Sequence, residues 1–330
     1  MKKIFVDGQE GTTGLVINDR LKNRTDIEIL KIDTNKRKDV SERKKLINEA
    51  DIVFLCLPDD ASREAVAFVE NENTRIIDAS TAFRTHPDWA YGIPELSPNQ
   101  RELIKNSKRV SVPGCHASGF TTAIYPLVHK GIVPTSYPLS CFSLTGYSGG
   151  GKKLIEQYEN THNREDFFKC ARIYGLSLSH KHLSEMQIIN NLEHPPVFTP
   201  VLSDFYKGMI VGIPVRSDFI YKYTTSPGSN FSQTGINLTA KDIHSILSDY
   251  YENEIFIKVM PFADDSSLNF GCLDPLGCND TNRLEIFVTG HDEQILIMSR
   301  LDNLGKGASG AAVQCMNIMM GADEDLGLVK

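Results

Sequence analysis

The first fourteen residues constrain the fold more than any other stretch. Residues 3–7 form a short apolar run that leads into Gly8-Gln9-Glu10-Gly11-Thr12-Thr13-Gly14 and then into an amphipathic segment carrying Leu15, Val16, Ile17 and Leu21. Strand, glycine turn and helix in that order open a dinucleotide-binding unit. The glycines let the backbone come close to a pyrophosphate, whose charge meets the N–H groups at the helix start. A glycine trio also makes an ordinary tight turn, so the reading leans on the strands downstream of it. Residues 27–32 and 52–57 are predicted strands with a helix at about residues 41–49 between them, and residues 75–78 are a fourth strand. The third is continuously apolar, as a strand buried in a parallel sheet is.

Composition narrows the class. The chain has 330 residues, 41% hydrophobic and 23% charged, enough for one large or two ordinary domains with real cores. A formal net charge of −7 speaks against nucleic-acid and anionic-membrane partners, both of which favour basic surfaces. No apolar run approaches the roughly 18 residues of a membrane span, and the two N-terminal lysines run straight into a strand rather than a leader. The seven cysteines are scattered and lack a CxxC pair, so neither a disulfide framework nor a structural zinc site is expected, and a reducing cytoplasm is.

The second constraint is VSVPGCHASGFTTAIYP, residues 110–126. Pro113-Gly114 makes a tight turn after the apolar residues 110–112, and Cys115 then falls where a helix can start. Unpaired N–H groups and a partial positive charge at a helix start favour a thiolate, so Cys115 is a candidate nucleophile with a lowered pKa. The plainer alternative is an inert core cysteine. Past residue 130, Pro134 and Pro138 mark a change of pattern, and a domain boundary is expected between residues 115 and 140.

Further candidates come from residue types. After the second strand, Asp33 suits a ribose diol and hence NAD, whereas Lys36, Arg37 and Lys38 suit a 2′-phosphate and hence NADP; a solvated loop is the plain alternative. Residues 146–153, Gly-Tyr-Ser-Gly-Gly-Gly-Lys-Lys, form a glycine loop opening a helix at residues 154–158, with backbone donors suited to phosphate or carboxylate. His180, His182 and Glu185 invite a metal reading, but no third strong ligand lies near the histidines, so no metal is expected and histidines flanking a helix start are the commoner case.

The run Val110-Ser111, Pro113-Gly114-Cys115, Gly119, Ala123-Ile124 and Pro126 resembles the active-site signature of the N-acetyl-gamma-glutamyl-phosphate reductases, with His116 where Tyr or Phe is usual and Ser118 where Thr is. Similar blocks occur downstream in the family's order. Residues 78–84 (DASTAFR) and 91–96 (YGIPEL), the glycine loop with Lys152 in place of an arginine, His180-Lys181-His182 in place of His-Arg-His with Ser184 for the family's proline, and residues 302–308 (DNLGKGA) all have counterparts. The GxxGxxG spacing with the basic cluster resembles the short-chain subgroup, which uses NADP. The resemblance implies Cys115 as nucleophile and His180 as acid and base, with His182 the near alternative. It implies that Arg84, Ser148, Lys152 and His182 meet the substrate. It implies that Gly8, Gly11, Thr12, Thr13, Gly14, Arg37, Lys38, Ser80 and Asn303 meet NADP(H).

Residues 198–202, 209–215, 255–260, 284–289 and 294–301 are strand-like, and residues 240–251 carry Ile243, Ile246 and Leu247 at helical spacing. The expected fold is therefore α/β. A Rossmann-type doubly wound parallel sheet over residues 1–114, joined by residues 302–330, accompanies an α+β catalytic and dimerisation domain over residues 115–301 with a largely antiparallel sheet. The last helix is dense in small residues and methionines and must pack closely. The expected reaction is NADPH-dependent reduction of an acyl phosphate through a Cys115 thioester, releasing inorganic phosphate, in a homodimer or homotetramer. Aspartyl phosphate and carrier-linked aminoadipyl phosphate are the alternative substrates. A dinucleotide-binding redox sensor and a thiol hydrolase are the other classes; the His180 block counts against the first and the glycine turn against the second.

Overall fold

The computed structural model describes residues 1–160, 164–222, 236–262, 266 and 268–330. In β1 (Lys2–Asp7) successive side chains point to opposite faces of a sheet, and both faces are buried. Ile4 and Val6 meet α1 (Thr12–Leu21) through Ile17 and Leu21, while Phe5 meets Leu46 and Ile47 of α2 (Val40–Glu49) and Ala65 of α3 (Asp59–Ala67). Helices on both faces are what a parallel sheet needs, because each parallel pairing requires a crossover. The other strands are β2 (Ile27–Leu30), β3 (Ile52–Leu55), β4 (Arg75–Asp78), β5 (Ala90–Tyr91) and β6 (Arg109–Ser111), and the sheet runs β2-β1-β3-β4-β6-β5, all parallel. The short α4 (Pro98–Asn106), N-capped by Ser97, precedes β6.

The chain then leaves this sheet through α5 (Cys115–His129), whose apolar side chains enter a different core. Phe120, Ile124 and Leu127 pack with Val211, Ile213 and Leu301. The helix starts at Cys115 itself, where the turn chemistry allows it. The second sheet is built from β7 (Ser140–Gly146), β8 (Arg172–Ile173), β9 (Val197–Ser203), β10 (Met209–Arg216), β13 (Ile257–Val259), β16 (Leu284–Gly290) and β17 (Gln294–Leu301). Its order is β13-β16-β17-β10-β7-β9-β8. It is largely antiparallel, as expected, with two parallel pairings that make it mixed: β7 with β9, and β13 with β16. Two small antiparallel pairs, β11 (Tyr221–Lys222) with β12 (Ile236–Asn237) and β14 (Leu268–Asn269) with β15 (Cys272–Leu273), lie outside it. The helix numbered α8 (Ala240–Tyr251) covers the sheet, its start fixed by a reciprocal capping box between Thr239 and Asp242.

Two helices flank the site. α6 (Lys152–Glu159) comes after the glycine loop, and α7 (Leu183–Ile188) after the histidine block. α7 ends at Ile188, and just beyond it Asn191 turns left-handed (φ 53°) while the Leu192 N–H closes back on Gln187 O. Finally α9 (Gly310–Met320) returns to the first sheet. Ala311, Ala312, Cys315 and Met316 pack with Ile4, Val6 and Ile77, and Gly321 ends the helix at φ 69°. Its small residues are what let it approach so closely.

Candidate active site

One cavity of about 650 Å³ opens between the two sheets, lined by Gly11, Thr12 and Thr13 of the first turn, by Cys115, and by His180 and His182. Gly8 supports this turn from behind at φ 90°, where a Cβ would lie 2.3 Å from Cys56 O; only glycine closes the turn against β3. Thr12 opens α1 with no side-chain cap on its backbone N–H groups, so these donors are left for a ligand.

Cys115 is the first residue of α5, and its sulfur lies with ring nitrogens of His116 and His182 in a group whose atoms are within 4.8 Å of one another. The expected lowering of its pKa is not what the surroundings produce. Burial pushes the thiol up to about 11, and the opposing pull of the Arg84 guanidinium and a backbone hydrogen bond is smaller. Burial likewise holds the histidines neutral: His116 is pushed down to about 3 and His180 to about 4, with His180 and Lys181 adding repulsion for the former and Lys181 and Arg84 for the latter. His182 is pushed well below the usual range by burial and then by Arg84. Reaction at the sulfur therefore requires that its proton be removed locally.

The rings interlock. His180 and His182 lie edge to face with centroids 4.7 Å apart, and the His182 backbone N–H donates to His180 Nδ1 at 3.1 Å, which leaves the proton of neutral His180 on Nε2. His116 is 3% exposed, and its two ring nitrogens hydrogen-bond Ser143 Oγ at 2.8 Å and Tyr174 OH at 2.9 Å. His182 Nδ1 is buried with no hydrogen-bond partner.

Behind the thiol stands an ion pair. Arg84 donates through Nη1 to Glu185 Oε1 at 2.8 Å, through Nε to Val112 O at 2.9 Å and through Nη2 to Ala79 O at 3.2 Å. Arg84 also lines the cavity, so its remaining donors are within reach of a bound anion. Asn303 is similarly committed: Oδ1 accepts the Gly208 N–H at 2.8 Å and Nδ2 donates to Ser148 Oγ at 2.9 Å, tying two cavity-lining residues to the second sheet.

Of the residues singled out in sequence, Gly11, Thr12, Thr13, Arg84, Cys115, Ser148, His180, His182 and Asn303 line this one cavity. Gly8 and Gly14 shape the turn beneath it, and Ser80 hydrogen-bonds Asp78 at 2.6 Å. Lys152 heads α6 facing solvent, Lys38 is exposed, and Arg37 lies 3.5 Å from Glu10 at the turn's outer edge; the cavity lining includes none of the three. The residues missed in sequence are Tyr174, which closes over His116, and Tyr91, which donates to Glu185 Oε2 at 2.9 Å. Glu185 was visible only as a carboxylate near two histidines; its partners Arg84 and Tyr91 are 101 and 94 positions away, beyond any spacing rule.

Residues 3–105 match the family model "Semialdehyde dehydrogenase, NAD binding domain", and residues 115–303 match "Semialdehyde dehydrogenase, dimerisation domain". Fold and site thus define a semialdehyde dehydrogenase, an oxidoreductase with a nicotinamide dinucleotide as cofactor. An aspartate semialdehyde dehydrogenase from Francisella tularensis superposes with a TM-score of 0.70 at 15% identity, covering 97% of this chain and 100% of that one. An aspartate semialdehyde dehydrogenase from Candida albicans, solved with NADP, superposes with a TM-score of 0.61 at 14% identity, covering 97% and 98%. Sequence relatives are much nearer. The N-acetyl-gamma-glutamyl-phosphate reductase 2 of Nostoc sp. is 46% identical over 99% of both chains, and the N-acetyl-gamma-glutamyl-phosphate reductase of Brucella anthropi is 41% identical over 97% of this chain and 98% of its own. The chain belongs to the N-acetyl-gamma-glutamyl-phosphate reductase family.

Proposed function

We propose that this chain reduces N-acetyl-gamma-glutamyl phosphate to N-acetylglutamate 5-semialdehyde, with NADPH as reductant and phosphate as leaving group, through a thioester on Cys115. The observation that carries this reading is that the glycine turn, the Cys115 helix start and the histidine pair face one cavity. The names of relatives at 41–46% identity support the acyl group. The cofactor fits the turn: the uncapped start of α1 and the bare Gly8 and Gly11 backbone suit a pyrophosphate.

The Cys115 sulfur gives up its proton and attacks the acyl carbon, and phosphate departs with the electron pair of the C–O bond. Bound NADPH supplies the hydride that reduces the resulting thioester to a hemithioacetal. The hemithioacetal oxygen then loses its proton as the C–S bond breaks and the sulfur is reprotonated. We assign the acid–base role to His180: with Nδ1 taken by the His182 N–H, its Nε2–H is the proton it can give to the departing sulfur, and the same Nε2 takes a proton back once that one has left. A second reading gives the thiol proton to His182, which has a ring nitrogen in the group within 4.8 Å of the sulfur. His180→Asn and His182→Asn separate these: the true base, when lost, slows alkylation of Cys115 as well as turnover.

NADP is preferred over NAD in this reading because Arg37 stands at the edge of the turn beside Glu10 and Lys38 next to it in sequence is exposed. Arg84, Ser148, Lys152 and His182 are the proposed substrate contacts, and Ser80 and Asn303 join the glycine turn around the cofactor. Residues 1–114 with 302–330 form the proposed dinucleotide unit, supported by the packing of α9 on the first sheet, and residues 115–301 the catalytic and oligomerisation unit. The name of the matched dimerisation domain and the exposed Phe142 and Val197 on neighbouring strands support a homodimer or homotetramer. A cytoplasmic setting is supported by seven free cysteines; no described helix is long and apolar enough to cross a membrane.

The test is the reverse reaction, followed by absorbance of the reduced cofactor with N-acetylglutamate semialdehyde, phosphate and NADP. A rate with aspartate semialdehyde and none with the acetylated substrate would overturn the assignment.

A further inference from the structure

We infer that Cys115, His116 and His182 form a capture site for a thiophilic divalent cation, with zinc the best match, and that its occupation reversibly silences the thiol. One sulfur and two imidazole nitrogens already lie within 4.8 Å of one another, and among the described residues no other group of three such side chains converges so closely. A tetrahedral zinc sphere sets nitrogen and sulfur ligands about 3.3–3.6 Å apart, so closure takes side-chain shifts of roughly 1 Å. Three protein ligands leave the fourth position to water from the cavity.

Beyond the clustering, one further observation points to a ligand. His182 is 5% exposed, and its Nδ1 has no hydrogen-bond partner, an unusual state for a buried ring nitrogen. His116 is hydrogen-bonded on both ring nitrogens, so ligation costs it the bond to Ser143 or to Tyr174, and the bond that stays fixes the ring as an outer partner does. Imidazole binds a cation through an unprotonated ring nitrogen. The thiol enters as thiolate, so each cation captured releases one proton to solvent, and no oxidant or reductant takes part.

Occupancy rests on geometry alone; that it blocks turnover rests further on Cys115 being the nucleophile. The experiment separates the two. Chelator-treated protein is titrated with Co²⁺ alone, and then Zn²⁺ affinity is measured by competition with a chromophoric chelator. One equivalent of Co²⁺ should give a thiolate-to-metal charge-transfer band with strong tetrahedral visible bands, and Cys115→Ala should abolish the charge-transfer band. His116→Phe, checked for folding by circular dichroism, should weaken Zn²⁺ by at least the roughly 10–100-fold that the loss of an outer partner costs, and His182→Asn by as much. Wild-type affinity in His116→Phe, or a band surviving in Cys115→Ala, would overturn the site; the latter would place the ion on the exposed Cys170 or Cys272. Binding as described without inhibition of turnover would instead count against Cys115 as nucleophile and leave the metal site standing.

Discussion

Glu185 Oε2 accepts the backbone N–H of Gly114 at 3.0 Å, so a fully buried carboxylate grips the chain one residue before the nucleophile. The same carboxylate takes Arg84 on its other oxygen and Tyr91 on this one. The turn that presents Cys115 is thus locked by side chains from two distant parts of the sequence.

Replacing Glu185 with Gln sets an amide N–H₂ against Arg84, or against Tyr91 and Gly114. Breaking a buried pair while leaving its partner in place costs about 3–5 kcal/mol. Urea unfolding of Glu185→Gln should show a loss in that range, with activity falling too. A loss below about 1 kcal/mol would mean that water reaches Arg84 and the lock is weak.

Gly114 tolerates no side chain. A Cβ there would lie 2.4 Å from His182 Cε1 and Nε2 and 2.5 Å from Arg84 Nη1. Overpacking costs about 1–3 kcal/mol, while misplacing reacting groups by an ångström costs up to about 100-fold in rate. Gly114→Ala should therefore fold and lose far more activity than stability, measured as kcat/KM against thermal midpoint. Near-normal kcat/KM would show that His182 moves freely, against a catalytic or binding role.

With its thiol pushed up to about 11 by burial, free Cys115 should be alkylated by iodoacetamide at a rate that rises about tenfold per pH unit through pH 9 without levelling. Peptide mass spectrometry at Cys115 distinguishes it from the exposed Cys170 and Cys272. A plateau reached near pH 7 would show a thiolate that the helix start stabilises after all.

The histidines make stability rise with pH. His116 at about 3 and His180 at about 4 bind protons less readily folded than unfolded, where the ordinary value is near 6.5. Their contribution is complete above pH 6.5 and is lost as the pH falls through the window between 6.5 and these values, each ring adding at most about 1.4 kcal/mol per pH unit. Thermal midpoints between pH 7 and 5 should fall, and His116→Phe should flatten the fall. An unchanged slope in that variant would place the titration elsewhere.

Arg37 meets Glu10 across the turn at 3.5 Å on an exposed surface. Such a pair is worth little by itself, so the guanidinium is available to a 2′-phosphate at small cost. Arg37→Ala should raise KM for NADP several-fold more than for NAD. Equal changes would make the cluster a solvated loop.

Local periodicity and turn chemistry carried the first sheet, because Gly8 and Gly11 and the continuous apolar strands are local facts. The same holds for α8, whose bounds are set by its Thr239 cap and apolar stripe. The second sheet was less legible. Parallel pairings such as that of β7 with β9 join segments about 57 residues apart, and nothing in either strand announces its neighbour. At the site, glycines, cysteine and histidines showed by type and by resemblance, whereas the Arg84–Glu185–Tyr91 cluster did not, because burial and long-range contact are properties of the folded chain alone. The thiol misled for the same reason: the helix start is visible in sequence, and the burial that outweighs it is not.

The return of α9 to the first sheet has a consequence for how the protein is made. Ala311, Ala312, Cys315 and Met316 cover Ile4, Val6 and Ile77, so Ile4 and Val6 leave the ribosome roughly three hundred codons before their lid does, and Ile77 more than two hundred. Throughout that interval the nascent amino-terminal half carries an uncovered apolar face. During synthesis it is a natural client for a chaperone, and any message that terminates early yields a sticky fragment rather than a usable half-enzyme.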